Sequence, residues 1–371
     1  MKTMKRWAIP AILLMVICVL PSMPAEVNAL QLEVGPGRLY STISDAISIA
    51  VDGDVITVYN GIYSENIFIE KGLVIQSAGE MASPVIMPKD PELPVFTILG
   101  SSVHITGLTV QGSSSSGILL SCANNCTIAN NKVVNNLYGI TLENYAAGNE
   151  IMHNEIQNNY LEGINVWSHA RNNTISHNSV LRNNRGVYLW DVGNNEIFNN
   201  EIINSRTFGI TLADARRNII SHNTISNINS AYCIEMTGAC GNTLYSNTIS
   251  NRRFGLRMDE ASNDNRIYLN HFMNTTVSSG ESHNTWHSIG RVSYVFSWTM
   301  YKGYLGNYWG IYTVSDKDGD GIGDEPHRPD PLNEMEFDDA PLSSPLECYV
   351  FMQSVEPDSG LDARRTVSPD R

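Results

Sequence analysis

Gly186-Val-Tyr-Leu-Trp-Asp-Val-Gly-Asn-Asn-Glu-Ile-Phe-Asn-Asn-Glu-Ile-Ile-Asn-Ser-Arg-Thr-Phe208 is one unit of a repeat, and it is written in the grammar of short strands. Its apolar runs, 187–189, 197–198 and 202–203, are too short for an ordinary helix and are bounded by Asn and Gly. The unit recurs seven times. Its opening residues are Gly117, Gly139, Gly163, Gly186, Gly209, Cys233 and Gly255, spaced 22 to 24 apart. One aliphatic column follows (Ile128, Ile151, Ile175, Ile197, Ile220, Leu244, Ile267), and five residues after each member comes another (Val133, Ile156, Val180, Ile202, Ile225, Ile249, Phe272).

A fixed period of this length signals a solenoid. One unit cannot bury its own apolar face, so units stack. Three short strands per turn, each pairing with its counterpart in the next turn, give an all-β chain. The expected fold is a single right-handed parallel β-helix of about ten coils, the hand following the crossover rule. Two residues before each member of the second aliphatic column stands Asn: Asn131, Asn154, Asn178, Asn200, Asn223, Asn247 and Asn270. A second Asn column runs through Asn149, Asn173, Asn195, Asn218, Asn242 and Asn265, with Cys126 in its place in the first coil. Asn tolerates left-handed backbone and bonds nearby backbone groups. Stacked roughly 4.8 Å apart, the side chains are expected to form hydrogen-bonded ladders. These columns read as scaffold, not as a site.

Residues 1–29 read as a secretory signal: Lys2, Lys5 and Arg6 precede an apolar run over 8–20, and Val27-Asn28-Ala29 offers a cleavage site. The run is too short for a membrane anchor, so no membrane insertion is expected after cleavage. The net charge is −14, and cleavage after Ala29, which removes three basic residues and one acidic, leaves −16. That balance argues against nucleic acid and anionic membranes as partners. It suits an exported protein at the cell surface, in the periplasm or outside the cell. Export permits disulfides, and Cys122 with Cys126, and Cys233 with Cys240, are near enough in sequence to pair locally, with Cys348 left over.

Residues 30–116 read as an N-terminal cap and first irregular coils, with a short capping helix within 39–50 that has Ser41 or Thr42 as N-cap. Residues 117–274 are the regular coils, and 275–342 an irregular C-terminal cap whose aromatic residues, Trp286 and Trp309 among them, plug the last coil. Residues 343–371 read as a disordered tail. Within the cap, Asp316, Asp318 and Asp320 occupy positions 1, 3 and 5 of a calcium loop, with Gly321 at 6. Ile322 falls at position 7, where a backbone carbonyl serves, and Asp324 at position 9. His327 stands where an EF-hand has Glu, so the expectation is a freestanding calcium loop that clamps the cap.

Several segments together carry a family resemblance: Val34-Gly-Pro-Gly37, Asp52-Gly-Asp-Val-Ile-Thr-Val58, Gly61-Ile-Tyr-Ser-Glu-Asn66, the Asn-rich coils, Gly306-Asn-Tyr-Trp309, the Asp-rich loop and Asp339-Ala-Pro-Leu342. Over residues 31–342 the chain resembles the NosD-type proteins, exported β-helix proteins with pectate-lyase-like folds that are abundant in the envelopes of methanogenic archaea. The resemblance implies a right-handed parallel β-helix. It also implies, for the family's namesake, an accessory role in maturing copper sites, and for the wider superfamily polysaccharide binding or processing.

Three functions follow as expectations. The first is a non-catalytic surface protein, adhesin-like or structural, that binds a polysaccharide or cell-surface glycan and is stabilised by calcium; its binding candidates are Trp167, Tyr188 and Trp190, which project from the opening strands. The second is a lyase, epimerase or glycoside hydrolase acting on an acidic glycan, with Asp191, Asp214, Glu143 and Arg217 as catalytic candidates, since close carboxylates divide acid and nucleophile work. Arg185 and Arg216 join Arg217 as residues able to neutralise a uronate. The third is copper binding by His153 and His177, stacked neighbours before the ladder Asn, because imidazole suits copper.

Overall fold

The computed structural model describes residues 29–79, 83–227, 232–251, 254–310, 312, 314–352 and 355. The expected signal segment over 1–29 lies, but for Ala29, outside them. The chain is an all-β, right-handed parallel β-helix of about ten coils. Three parallel sheets of 11, 10 and 11 strands run its length. Each coil contributes one strand to each sheet: an opening strand such as Arg185–Trp190, a middle strand such as Glu196–Phe198 and a closing strand such as Glu201–Ile203. Equivalent residues stack in register, for example Ile175↔Ile197↔Ile220 and Val180↔Ile202↔Ile225. These aliphatic columns are buried and form one continuous core. Among the described residues no helix is long and apolar enough to cross a membrane.

Most bends between strands couple a left-handed residue to a buried ladder residue. At the middle-to-closing bend the left-handed position is Asn130, His153, His177, Asn199, His222, Ser246 or Leu269, all with φ between 51° and 57°. The ladder Asn follows it directly. The left-handed strain that the sequence suggested for the ladder Asn thus falls on its predecessor, where Asn and His are among the side chains that bear it most easily. The ladder Asn is freed to work through its side chain. Asn178 donates its backbone N–H and its Nδ2 to Asn200 Oδ1, at 2.9 and 3.0 Å, and Nδ2 also donates to the Ile151 carbonyl of the preceding coil at 2.8 Å. The same triad repeats along both predicted columns. A third ladder, at the closing-to-opening bend, runs Asn136, Asn159, Asn183 and resumes at Asn227. Ser205 interrupts it and leaves its own buried hydroxyl without a hydrogen-bond partner.

Every ladder therefore donates toward the C-terminus, and its last amide needs a terminal acceptor. The first ladder continues from Asn270 to Asn307 and ends on Asp338. The second continues from Asn265 to Asn284 and ends on Glu336. In each case a tryptophan indole donates to the same carboxylate: Trp309 Nε1 to Asp338 at 2.9 Å and Trp286 Nε1 to Glu336 at 3.1 Å. A carboxyl oxygen turned to the amide or the indole accepts and does not donate, so it ends the donor chain. This accounts for the Gly306-Asn-Tyr-Trp309 motif. A Cβ on Gly306 would stand 1.8 Å from Asp338 Oδ1, Asn307 extends the ladder, and Trp309 stacks on Phe272 at 4.5 Å while donating to the acid. The acid that matters in the following segment is Asp338, one residue before the Asp339 that the sequence picked out.

At the other end the helix Ile43–Ile49 covers the first coil, with Thr42 as N-cap. Glu65 accepts the Ile43 and Ser44 N–H groups, and Lys71 donates to the Ile47 and Ala50 carbonyls. The structure decides a pairing that the sequence left open and alters the reading of the tail. The cysteines form no disulfide among the described residues: Cys126 and Cys233 point into the core, whereas Cys122 is exposed and Cys240 half-buried. Cys122 stands in left-handed backbone at a bend, outside the strand, so nearness in sequence does not bring it to the buried Cys126. Residues 343–352, assigned to a disordered tail, hold a turn of 3-10 helix, Leu346–Cys348, and a strand, Tyr349–Phe351. The strand pairs antiparallel with Val292–Phe296 because Tyr349 packs against Tyr294 and Phe296. Residues 353, 354 and 356–371 of the expected tail lie outside the described residues.

Candidate functional site

The opening-strand sheet carries the most varied side chains of the molecule on its outer face. Alternation sends Ile, Leu and Val inward and the intervening residues outward. Parallel register then lines the outward residues into columns. One column runs Glu143, Trp167, Trp190, Ala213, Thr237. Trp167 and Trp190 lie 6.0 Å apart, tilted at 34°. Trp190 is 43% exposed, while Trp167 is half-buried and donates its Nε1 to Glu143 Oε2 at 2.9 Å. Glu143 is thereby committed to holding the indole. Tyr188 lies in the next column, under the Arg185 guanidinium at 4.9 Å, and Arg185 is itself paired with the buried Glu162 at 2.7 Å. Burial raises the Tyr188 phenol above its usual range, so it stands neutral at physiological pH. Beyond it a stacked aromatic row, Phe208, Tyr232 and Phe254, extends toward the C-terminal end, with centroids 6.1 and 4.9 Å apart.

Beside Trp190 the first bend opens into a groove of about 740 Å³, lined among others by Asp191, Asp214 and Arg217. Three of the four catalytic candidates thus share one concavity with one of the three binding candidates. Asp191 and Asp214 are both left-handed, with φ of 53° and 49°, and they sit on adjacent coils. Their carboxylates turn opposite ways along the axis. Asp191 Oδ2 reaches His169 Nδ1 of the preceding coil at 3.2 Å. Asp214 Oδ1 lies over Gly238 of the following coil, where a Cβ would meet it at 2.6 Å. The facing carboxylates that glycoside cleavage calls for are not formed. His169 and Arg171 line the groove but were not among the sequence candidates. Stacking each first bend on the next would have found Arg171, since Arg171, Gly193 and Arg216 occupy one register position.

In the acidic loop, carboxylate oxygens of Asp316, Asp318 and Asp320 lie within 4.8 Å of one another. Gly319, with φ +74°, and Gly321, with φ +90°, make the turn possible. Asp316 accepts the Gly319, Asp320 and Gly321 N–H groups and the Ser343 hydroxyl. Burial, and then the charges of Asp318, Asp316 and Asp324, push the Asp320 carboxyl above its usual range, against the pull of the Ile322 N–H. Asp324 stands apart and accepts from the Ser315 hydroxyl and the Lys317 N–H. Ile322 donates its own N–H to Asp320 Oδ1 at 2.8 Å. The loop is bound to the C-terminal cap, since Tyr294 donates to the Asp320 carbonyl and Tyr349 to that of Gly321.

A right-handed β-helix with asparagine-laddered bends, a patterned aromatic face and capped ends defines a class of solenoid protein. Within it, the family described as "Periplasmic copper-binding protein (NosD)" matches residues 97–185 and 162–314, and the chain belongs to that family. A cell surface glycoprotein of Methanothermus fervidus is 30% identical over an alignment covering 71% of this chain and 51% of that protein, so the chain spans about half of that relative's length. Among solved structures, a Geobacillus virus E2 protein, ORF18, is similar with a TM-score of 0.57 at 15% identity, over 79% of this chain and 64% of that one. The A-module of the Azotobacter vinelandii mannuronan C-5 epimerase AlgE4 gives 0.52 at 16% identity, over 65% of this chain and 90% of that one. These likenesses are of fold.

The copper of the family description can be tested on the donors present. His153 and His177 stack with centroids 4.9 Å apart and planes 28° apart. Imidazole lone pairs lie in the ring plane, so near-parallel stacked rings aim them side by side, not at one ion. His177 Nε2 is also bonded to Asn199 Nδ2 at 3.3 Å. Among the described residues the only cluster of three or more His, Cys, Asp or Glu donors is the Asp316, Asp318 and Asp320 group, an all-oxygen set suited to a hard cation and not to copper. The side chains as placed do not fit copper.

Proposed function

We propose that this is an exported cell-surface β-helix protein that binds a glycan non-catalytically, with calcium holding its C-terminal cap. The observation that carries the reading is the exposed Trp190, paired with Trp167 at the lip of the first-bend groove. Indole faces bury large apolar area while leaving a polar edge free, and a sugar ring presents the complementary apolar face and polar rim. The divergent carboxylates of Asp191 and Asp214, and the commitment of Glu143 to Trp167, favour binding over cleavage. Export and surface placement rest on the basic and apolar N-terminal sequence, the periplasmic description of the family and the cell surface glycoprotein that the chain resembles.

The test is a glycan array probed with the mature protein. Binding to a defined set of glycans is expected, and Trp190→Ala together with Trp167→Ala should weaken it at least tenfold. Product formation from any bound glycan would replace the binding reading with the enzymatic one, and no binding at all would remove both. For calcium, millimolar Ca²⁺ should stabilise the cap by about 1–3 kcal/mol and raise its melting midpoint by several degrees. An Asp318→Asn/Asp320→Asn variant should show no such rise. A wild-type midpoint indifferent to Ca²⁺ would end the calcium assignment.

A further inference from the structure

We infer that the first-bend groove is an anion-selective subsite, which takes the carboxylate or sulfate group of an acidic glycan on Arg171, Arg216 and Arg217 while the sugar ring rests on Trp190. The inference builds on the glycan-binding reading and names the substrate class. It starts from a contrast in charge pairing. Elsewhere on the coils three cations pair with carboxylates of neighbouring coils, Lys132 with Glu155, Arg185 with Glu162 and Arg257 with Glu235, all within 2.8 Å, while Arg182 bonds the neutral Gln157 and Arg206 and Arg266, each on its own, take no ion pair among the described residues. In the groove the cations take no such partner. Among the described residues Arg171, Arg216 and Arg217 form no ion pair within 4.0 Å, although two aspartates line the same space. Asp191 is taken by His169, and Asp214 is turned onto Gly238.

The backbone sets the spacing. Arg171, Gly193 and Arg216 stack at one register position on three successive coils, so the two guanidinium side chains leave the same side of the rod with one coil between them. Gly193 lines the groove between them and contributes no side chain. Arg217 follows Arg216 in left-handed backbone, with φ +56°, and lines the same groove. A planar guanidinium fork matches carboxylate and sulfate oxygens two at a time. Three cations without an ion pair against two aspartates, one of them held by His169, leave this concavity with a positive balance on a chain of net charge −14. Its volume is in the range of sites that hold a sugar-sized ligand.

The experiment compares three oligosaccharides on the mature protein by calorimetry. These are a hexuronate tetrasaccharide, the same tetrasaccharide with its carboxyls reduced to alcohols, and a sulfated neutral tetrasaccharide. At least one charged ligand is expected to bind tenfold or more tighter than the reduced one, with affinity falling as salt rises. Whichever does so identifies the anion. Arg171→Gln/Arg216→Gln, both at exposed positions with ordinary backbone, should erase that tenfold preference while leaving the melting curve and the weak binding of the reduced sugar unchanged. Trp190→Ala should weaken all three. Equal binding of charged and reduced sugars, or a preference that survives the arginine substitutions, overturns the inference and leaves the glycan reading standing. Failure of all three sugars, together with an empty array, removes both.

Discussion

Asp338→Ala is expected to cost the C-terminal cap about 3–5 kcal/mol, because it strands the buried Asn307 N–H and Trp309 Nε1 donors at once and empties the space the carboxyl filled, while Asn307 Nδ2 keeps the Ile267 and Trp286 carbonyls. The loss should be local. Hydrogen exchange at pH 5 should quicken through the last coil and around residues 286–309, while the central coils, held by their own neighbours, keep their protection. Asp338→Asn separates shape from charge, since an amide oxygen in place of Oδ2 still accepts those donors. Burial pushes the Asp338 carboxyl up to about 7, against the opposing pull of its N–H donors. The sign follows from this. Below about pH 4 the group is protonated in folded and unfolded chains alike, and its contribution is fully present. As pH rises toward 7 the unfolded chain ionises first, so that contribution is lost. Relative to Asp338→Asn, the wild-type cap should therefore lose roughly 4 kcal/mol between pH 4 and pH 8. A difference that stays flat with pH, or an alanine variant within 0.5 kcal/mol of wild type, would refute the role given to this acid.

In the middle of the rod the largest single effect should come from Asn200→Ala. Asn200 Oδ1 accepts two donors from Asn178, and its Nδ2 donates to Ile175, Phe198 and Asn223. The side chain is 2% exposed, so the groups left behind have no water to turn to. A cost of about 3–5 kcal/mol is expected, read from denaturant unfolding. Asn194→Gly is the control. That exposed asparagine is left-handed, with φ +57°, and glycine keeps the conformation, so its cost should stay below about 1 kcal/mol. Equal costs at the two positions would mean that the ladder adds nothing beyond the turn.

These two asparagines also mark what a sequence can reveal. Asn200 belongs to a column that recurs at every coil, so periodicity exposes it, together with the aliphatic columns and hence the whole β-helix. The third ladder was less legible, because Ser205 breaks it and the loop after it varies in length. Asp338 and Glu336 were invisible to period: they lie 31 and 52 residues from the amides they receive, outside the repeat. For the site, outward alternation picked out Trp167, Tyr188 and Trp190, and adjacency placed Asp191 beside Asp214. It could not say that the two carboxylates would turn to different neighbours, Asp191 to His169 and Asp214 to Gly238. The histidines that suggested copper are explained by the bend itself, where each stands at a left-handed position.

The one-way run of amide donors has a consequence for how such a protein changes over generations. Chemistry that must be unique is confined to the two ends, at the capping helix and at the pair of tryptophan-bound acids. From Asn131 and Asn149 onward, every coil between them presents the same amide donors to the next coil at the two unbroken ladders. A coil can therefore be gained or lost by duplication or deletion of about 23 residues with both junctions healed, and length becomes a heritable variable separate from foldability. A lineage could thus set the length of the rod while its varied outer face drifts one coil at a time.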